Sequence, residues 1–314
     1  MQWNAKLTQT LTENGFKQSK SDYSLFTKSE NGNFIALLVY VDDIIVIGNS
    51  VVEIQKFKDF LRTRFQIKDL SKLKYFLGIE VLEIDQGHCL SQRKYYLDLL
   101  SDFGLLACKP SATHLEQNFS ITNESTDVDK LMHKPLRSHV KIALRVLRYL
   151  KGNPEKGIHI FKQPKTSLKA FVDADWAKCL VTRKSVIGFC IKLNGSLVFW
   201  KSKKLNTLSK SSTEAEYKAM AYVTSEVTLI LKILRDLEWD QVLHVKLFCD
   251  SQAAIKIAAN PVFHERTKHL EIELHFVMEI FLSGVIETQK INTVVQPADI
   301  FTKWLDKNQH ENLI

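Results

Sequence analysis

The chain has 314 residues, enough for two domains at roughly 100–200 residues each, and its 45% hydrophobic and 25% charged composition excludes wholesale disorder. Lys and Arg number 43 against 35 Asp and Glu, a net charge of +8 that favours a polyanionic partner without specifying one. Five cysteines (Cys89, Cys108, Cys179, Cys190, Cys249), with no CxxC pair and no histidine at zinc-site spacing, argue against a disulfide framework or structural zinc and for a reducing compartment.

Within residues 1–30, Trp3, Leu7 and Leu11 recur at helical spacing, ahead of a turn at Asn31-Gly32-Asn33. The opening MQWNAKLTQT lacks the charged-then-apolar pattern of a secretory signal. Phe34–Val41 and Ile44–Ile47 predict two short strands on either side of Asp42-Asp43. Those acids interrupt the longest apolar stretch, so it does not span a membrane. An amphipathic helix is predicted over 51–65, a strand pair around Gly78 over Leu73–Ile84, and a helix over Tyr95–Leu106. Residues 109–130 are polar and aperiodic and predict a linker or a disordered loop. A basic helix over Pro135–Leu150 stops at Lys151-Gly152-Asn153-Pro154.

From Leu168 the pattern turns strand-rich: Leu168–Val172, Val186–Leu193 and Leu197–Trp200, with Asn194-Gly195 as a hairpin turn. A helix over Ser211–Leu237, a strand over Val242–Cys249, helices over Ser251–Ala259 and Glu265–Phe281, a strand near Ile286–Ile291 and a last helix from Ala298 follow. The order βββ-α-β-α-α-β-α implies a mixed sheet with helices packed against it.

Two acidic constellations stand out. Asp42-Asp43 sits at a hairpin tip, where adjacent acids repel; it reads either as a polar turn or as a metal-holding turn for phosphoryl transfer. Asp173 follows the first strand of the C-terminal region, Glu216 lies in the first turns of the long helix, Asp250 ends a strand, and Asp299 opens the last helix. Taken singly, each acid reads as a helix cap or a dipole complement. Taken together, four acids at the ends of four elements converge if the strands are neighbours, and such a cluster is costly without cations. Mg²⁺ is the natural counter-ion for oxygen ligands that face phosphate.

Basic residues gather in two acid-poor stretches. Lys141, Arg145, Arg148, Lys151, Lys156, Lys162, Lys165 and Lys169 meet one acid, Glu155, and Arg183, Lys184, Lys192, Lys201, Lys203, Lys204 and Lys210 meet none. Each reads as a solvated face or as a grip on a nucleic-acid backbone.

In chain order, Tyr40-Val41-Asp42-Asp43, Tyr75-Phe76-Leu77-Gly78-Ile79-Glu80 and Leu90-Ser91-Gln92, then FVDADW, TRKS, SSTEAEY, CDSQAAI, HERTKHLEI and ADIFTK, resemble the Pol polyprotein of copia-type long-terminal-repeat retrotransposons, from Trp3 to about Lys303. The fold implied by this resemblance is α/β (α+β): a ribonuclease H-like mixed five-stranded sheet with flanking helices, preceded by a truncated reverse transcriptase palm and thumb. The implied domains are 1–108 (palm and start of thumb), 109–134 (linker with a family segment deleted), 135–167 (basic connection helix region) and 168–305 (ribonuclease H-like).

The implied function is Mg²⁺-dependent hydrolysis of the RNA strand in RNA–DNA hybrids, fused to a non-functional polymerase remnant. The alternative is a catalytically inactive nucleic-acid-binding relic. By the resemblance Asp173, Glu216, Asp250 and Asp299 are the catalytic, metal-binding acids, for two Mg²⁺ ions with Mn²⁺ as a substitute. Glu216 ranks over Glu214 because Ala-Glu followed by an aromatic is the family pattern, and Asp175 is a near neighbour. Asp42 and Asp43 form a vestigial polymerase metal site, since the family's third aspartate would lie before Met1. Arg183, Lys184, Lys201, Lys203 and Lys204 would contact the hybrid's backbone, with His269 and His275 as second-tier candidates. No membrane partner is implied. The setting is intracellular, in cytoplasm or nucleus, or in a virus-like particle for an intact parent element.

The sequence also departs from the family. A few dozen residues are missing between Asp129 and Met132, Lys178 replaces a usual glycine that a tight turn could require, Met278 replaces a basic residue, and Pro297 replaces leucine.

Overall fold

Alternating apolar residues around tight turns build the first of three sheets. The computed structural model describes residues 2–113, 137–163, 166–239, 244–259 and 271–313. The chain divides into two compact units, Met1–Leu73 with Glu226–Val242, and Lys74–Ser225 with Leu243–Ile314. In the first unit, α1 (Gln2–Glu13) precedes β1 (Lys17–Gln18), β2 (Leu25–Glu30), β3 (Asn33–Tyr40), β4 (Asp43–Gly48) and α2 (Val51–Arg64). The four strands form an antiparallel sheet in chain order.

The helical spacing read over residues 1–30 therefore holds only to Glu13. Asn31 and Gly32 both have positive φ, 52° and 78°, which matches the twist of a two-residue hairpin and makes the preceding segment a strand. Leu7, Leu11, Phe16, Phe26, Ile35, Leu37, Val39, Phe57 and Leu61 bury together as the core of this unit. Truncating any one of its leucines to alanine costs about 2–5 kcal/mol. The Ser50 side chain accepts from the Glu53 N–H and starts α2.

The second unit opens with β5 (Tyr75–Phe76), β6 (Ile79–Ile84), β7 (Gly87–Ser91) and α3 (Arg93–Asp102). The expected linker, 109–130, falls largely outside the described residues. Helix α4 (Arg137–Leu150) follows, and the Tyr96 hydroxyl donates to its Leu147 carbonyl at 2.6 Å. Ile158–Phe161, read as part of a connection, is a strand, β8, that pairs with β7 through Leu90↔Ile158 and Gly87↔Phe161. Its partner lies some seventy residues back, a pairing that local periodicity does not register.

The third sheet carries the candidate site. It contains β9 (Leu168–Asp175), β10 (Val186–Leu193), β11 (Ser196–Lys204), β12 (Val245–Cys249) and β13 (Ile286–Lys290), in the order β11-β10-β9-β12-β13. The first three form an antiparallel meander, turned at Asn194 and Gly195 with φ 53° and 84°, while β9, β12 and β13 run parallel. Helices α5 (Ser212–Asp236), α6 (Gln252–Ala259) and α7 (Glu271–Leu282) are interleaved as expected. This is the mixed five-stranded sheet with flanking helices that the resemblance implied.

The last predicted helix is corrected. Pro297–Phe301 is a single 3₁₀ turn, and α8 (Lys307–Leu313) starts later. Proline supplies the first position, but Thr302 leaves helical geometry at φ −123° as its hydroxyl bonds to Asp173. This turn lies on the sheet face that carries Phe171 and Asp173. Phe171 stacks on Phe248 at 4.9 Å, with Ala298 and Phe301 packed against the same cluster. Gly188, paired with Asp173, permits the approach: a Cβ there would sit 2.7 Å from both the Phe301 Cβ and the Thr302 Cγ2.

Candidate active site

Register fixes two of the acids. Cys249 pairs with Val172 in parallel, so Asp250 and Asp173 leave adjacent strands at the same level. Glu216, in the second turn of α5, is drawn to the same level because its Oε1 accepts from the Ala174 N–H at 3.1 Å. Ligand atoms of Glu216, Cys249 and Asp250 all lie within 4.8 Å of one another. The 3₁₀ turn adds Asp299, and Lys303 Nζ lies 3.0 Å from Asp173 Oδ1 and 2.8 Å from Asp299 Oδ1. Around this core, Thr302 Oγ1 donates to Asp173 Oδ2, Thr293 Oγ1 donates to Asp250 Oδ2 at 2.9 Å, and Gln296 Nε2 donates to the Val172 carbonyl at 3.0 Å.

Asp173, Glu216 and Asp299 are 1%, 6% and 4% exposed, a degree of burial that acids rarely reach unless paired. Burial, then the charges of Asp173 and Asp250, push Glu216 up to about 8, against the Ala174 N–H and Lys303. Burial also raises Asp299 to about 6, with Lys303 pulling the other way and Asp173 adding to the rise. For Lys303, burial opposes its charge, but the bond to Asp299 and the field of Asp173 outweigh it and hold the ammonium charged. Crowded carboxylates that resist ionisation fit a hard divalent cation, whose charge would lower their pKa values together. The oxygens of Asp173, Glu216, Asp250 and Asp299 are the donors Mg²⁺ prefers; the buried Cys249 sulfur beside them is not.

Residues 1–117 match the family described as reverse transcriptase (RNA-dependent DNA polymerase). The retrovirus-related Pol polyprotein from transposon RE2 of Arabidopsis thaliana is 35% identical over 341 aligned positions, covering 99% of this chain and 23% of the polyprotein. The corresponding polyprotein from transposon TNT 1-94 of Nicotiana tabacum is 29% identical, over 99% of this chain and 26% of its own length. An uncharacterized mitochondrial protein of Arabidopsis thaliana is 35% identical over 61% of this chain and 92% of its own. The chain belongs to the copia-type retrotransposon Pol family. It spans about a quarter of the length of the Pol polyproteins it matches.

The Pol hairpin at Asp42-Asp43 contrasts with the buried cluster. Both acids are exposed, whereas Asp173, Glu216 and Asp299 are buried. Val41 takes φ 53° at the first central position of the turn, where a type II′ hairpin favours glycine. Glu214 is engaged elsewhere: it accepts from the Lys210 N–H and from the buried Lys218, each at 2.9 Å. Asp175 pairs with Lys178 at 2.6 Å.

The five basic candidates separate by position. Arg183 and Lys184 lie in the turn after β9. On β11, Ser202 is opposite Gly188, itself opposite Asp173, so alternation puts Lys204 on the Asp173 face and Lys201 and Lys203 on the other. Lys203 Nζ sits 4.3 Å from the Tyr222 ring centroid, which ties it to α5. His269 lies outside the described residues, and His275 lies on α7.

Of the departures from the family pattern, Lys178 does not occupy a left-handed position. The positive φ, 54°, belongs to Ala177. Lys178 instead donates to the Thr302 carbonyl and lies 5.6 Å from the Trp304 ring centroid. Pro297 takes the first position of its turn without breaking it, and Met278 lies in α7. Thr293, Gln296, Thr302, Lys303 and Gly188 support the acids but were not singled out from the sequence. Thr302 and Lys303 do close the ADIFTK string, four residues beyond Asp299 at most, so the helical offset pointed to them.

Proposed function

We propose that the C-terminal region hydrolyses the RNA strand of RNA–DNA hybrids, with Asp173, Glu216, Asp250 and Asp299 holding two Mg²⁺ ions. The convergence of these four acids from four separate elements carries the reading, and Pol family membership supports it. Bound Mg²⁺ would supply Lewis-acid stabilisation of the attacking and leaving oxygens. Water adds to phosphorus, the P–O3′ bond breaks, and the RNA is left with a free 3′-hydroxyl.

The chain's own residues prepare the site. Thr302 fixes one Asp173 oxygen and leaves the other facing the cluster. Glu216, pushed up to about 8 by burial and the charges of Asp173 and Asp250, favours its protonated form in the metal-free chain, and a bound cation would favour the carboxylate. Thr293 orients Asp250. Arg183, Lys184 and Lys204 are assigned to the hybrid's phosphates, which provide affinity, while groove shape and 2′-hydroxyls mark the RNA strand; Lys201 and Lys203, on the opposite face, are not. No polymerase step is assigned: Asp42 and Asp43 are both exposed and lack the burial that marks the Asp173 cluster.

The test is a substrate panel in Mg²⁺: RNA–DNA hybrid, duplex RNA and duplex DNA, with the RNA end-labelled. Cleavage confined to the RNA of the hybrid supports the proposal. A hybrid that is bound but left intact would make the chain a nucleic-acid-binding relic instead.

A further inference from the structure

Lys303 places its charge between two of the acids assigned to metal. Its ammonium contacts Asp173 Oδ1 and Asp299 Oδ1, whose side chains are 2% and 6% exposed, yet its own side chain is 31% exposed. The stem therefore runs from an open rim to a buried pair. The backbone around it is anchored independently of that side chain. Thr302 holds the second Asp173 oxygen, and Lys178 holds the Thr302 carbonyl while pairing with Asp175. Gln296 fixes the start of the same turn by accepting from the Ala298 N–H at 3.3 Å. Withdrawal of the ammonium would leave the Asp173 carboxylate still hydrogen-bonded and the turn still tied to β9.

We propose that Lys303 is an internal counter-ion that competes with a divalent cation for Asp173 and Asp299, stabilising the metal-free chain and withdrawing when the cation binds. The proposal rests on the metal site assigned above. Two cations on the same carboxylate oxygens repel strongly in a half-buried site. By linkage, a group that stabilises the metal-free form weakens cation binding to the same extent. Removing the Lys303 charge should therefore lower stability without metal and tighten metal binding, whereas a merely structural lysine would weaken both when removed.

Mn²⁺ is the probe, titrated into the full chain and followed by electron paramagnetic resonance, with thermal unfolding in EDTA as the second readout. Lys303→Met should bind Mn²⁺ at least about fivefold more tightly than wild type, the low end of coupling between competing ligands, and unfold at a lower temperature in EDTA. Lys303→Arg should stay close to wild type in both. A measurement on the unsubstituted fold covers the case in which Lys303→Met does not fold: ¹³C-methylated lysines, with the 303 resonance assigned by its loss in Lys303→Arg, should show that resonance shifting when Mg²⁺ is added. Equal or weaker Mn²⁺ binding by Lys303→Met, or a 303 resonance indifferent to Mg²⁺, overturns the counter-ion role while the metal site stands. Absence of Mn²⁺ binding in the wild type overturns the metal site and this inference together.

Discussion

The Asp42-Asp43 hairpin and the Asp173 cluster carry the same kind of residue and impose opposite costs. At the hairpin, water solvates both acids, so they can persist without a cation. In the cluster, three of the four acids are nearly inaccessible, and two of those, Glu216 and Asp299, have pKa values pushed up by burial and by the charges of Asp173 and Asp250. Proximity of acids in sequence is therefore weak evidence for a metal site. Their burial, with displaced protonation and supporting donors, is stronger evidence.

The largest expected effect lies on that contrast. Asp173→Asn should lower hybrid cleavage by more than about a hundredfold, since even outer-shell changes around metal sites cost 10–100-fold. Asp42→Asn with Asp43→Asn should leave cleavage unchanged in the same assay. A hairpin variant that abolished cleavage would erase the distinction.

Next comes packing. Gly188→Val inserts a side chain where Phe301 and Thr302 already lie, and should destabilise the second unit by about 1–3 kcal/mol in denaturant titration. Cleavage should fall with it, because the inserted group displaces the turn that carries Asp299 and Lys303.

A smaller effect concerns pH. The folded pKa of Glu216, near 8, lies above its ordinary 4.5, so the folded state holds a proton that the unfolded chain releases. Stability of the metal-free chain should accordingly fall as pH rises from about 5 to 8. Glu216→Gln should flatten this slope in thermal unfolding with EDTA, whereas the hairpin variants should leave it unchanged. The smallest effect is at Val41: replacing it with glycine relieves a left-handed β-branched residue and should stabilise the first unit by up to about 1 kcal/mol.

Much of the third sheet was legible because its signals are local. Asn194-Gly195 marks a hairpin, and the strand and helix runs from Leu168 to Lys290 have clear periods. The segments missed were those decided elsewhere in the chain. Leu25–Glu30 is a strand because of the turn that follows it, and Ile158–Phe161 because of a distant partner. At the site, the acids were visible as a recurrent pattern at element ends. Gly188 was not, since its role depends on a turn more than a hundred residues away. The Lys203–Tyr222 contact was hidden for the same reason: basic density along a strand does not reveal which lysines face a helix.

The central claim is that the buried acids form a Mg²⁺-dependent hydrolytic centre. Its most direct test follows cleavage of the RNA strand of a hybrid as Mg²⁺ is titrated, for the wild-type chain and for Asp250→Asn. The wild type should show saturable, EDTA-sensitive cleavage and the variant none. Equal rates in the two proteins, or cleavage that persists in EDTA, would contradict it.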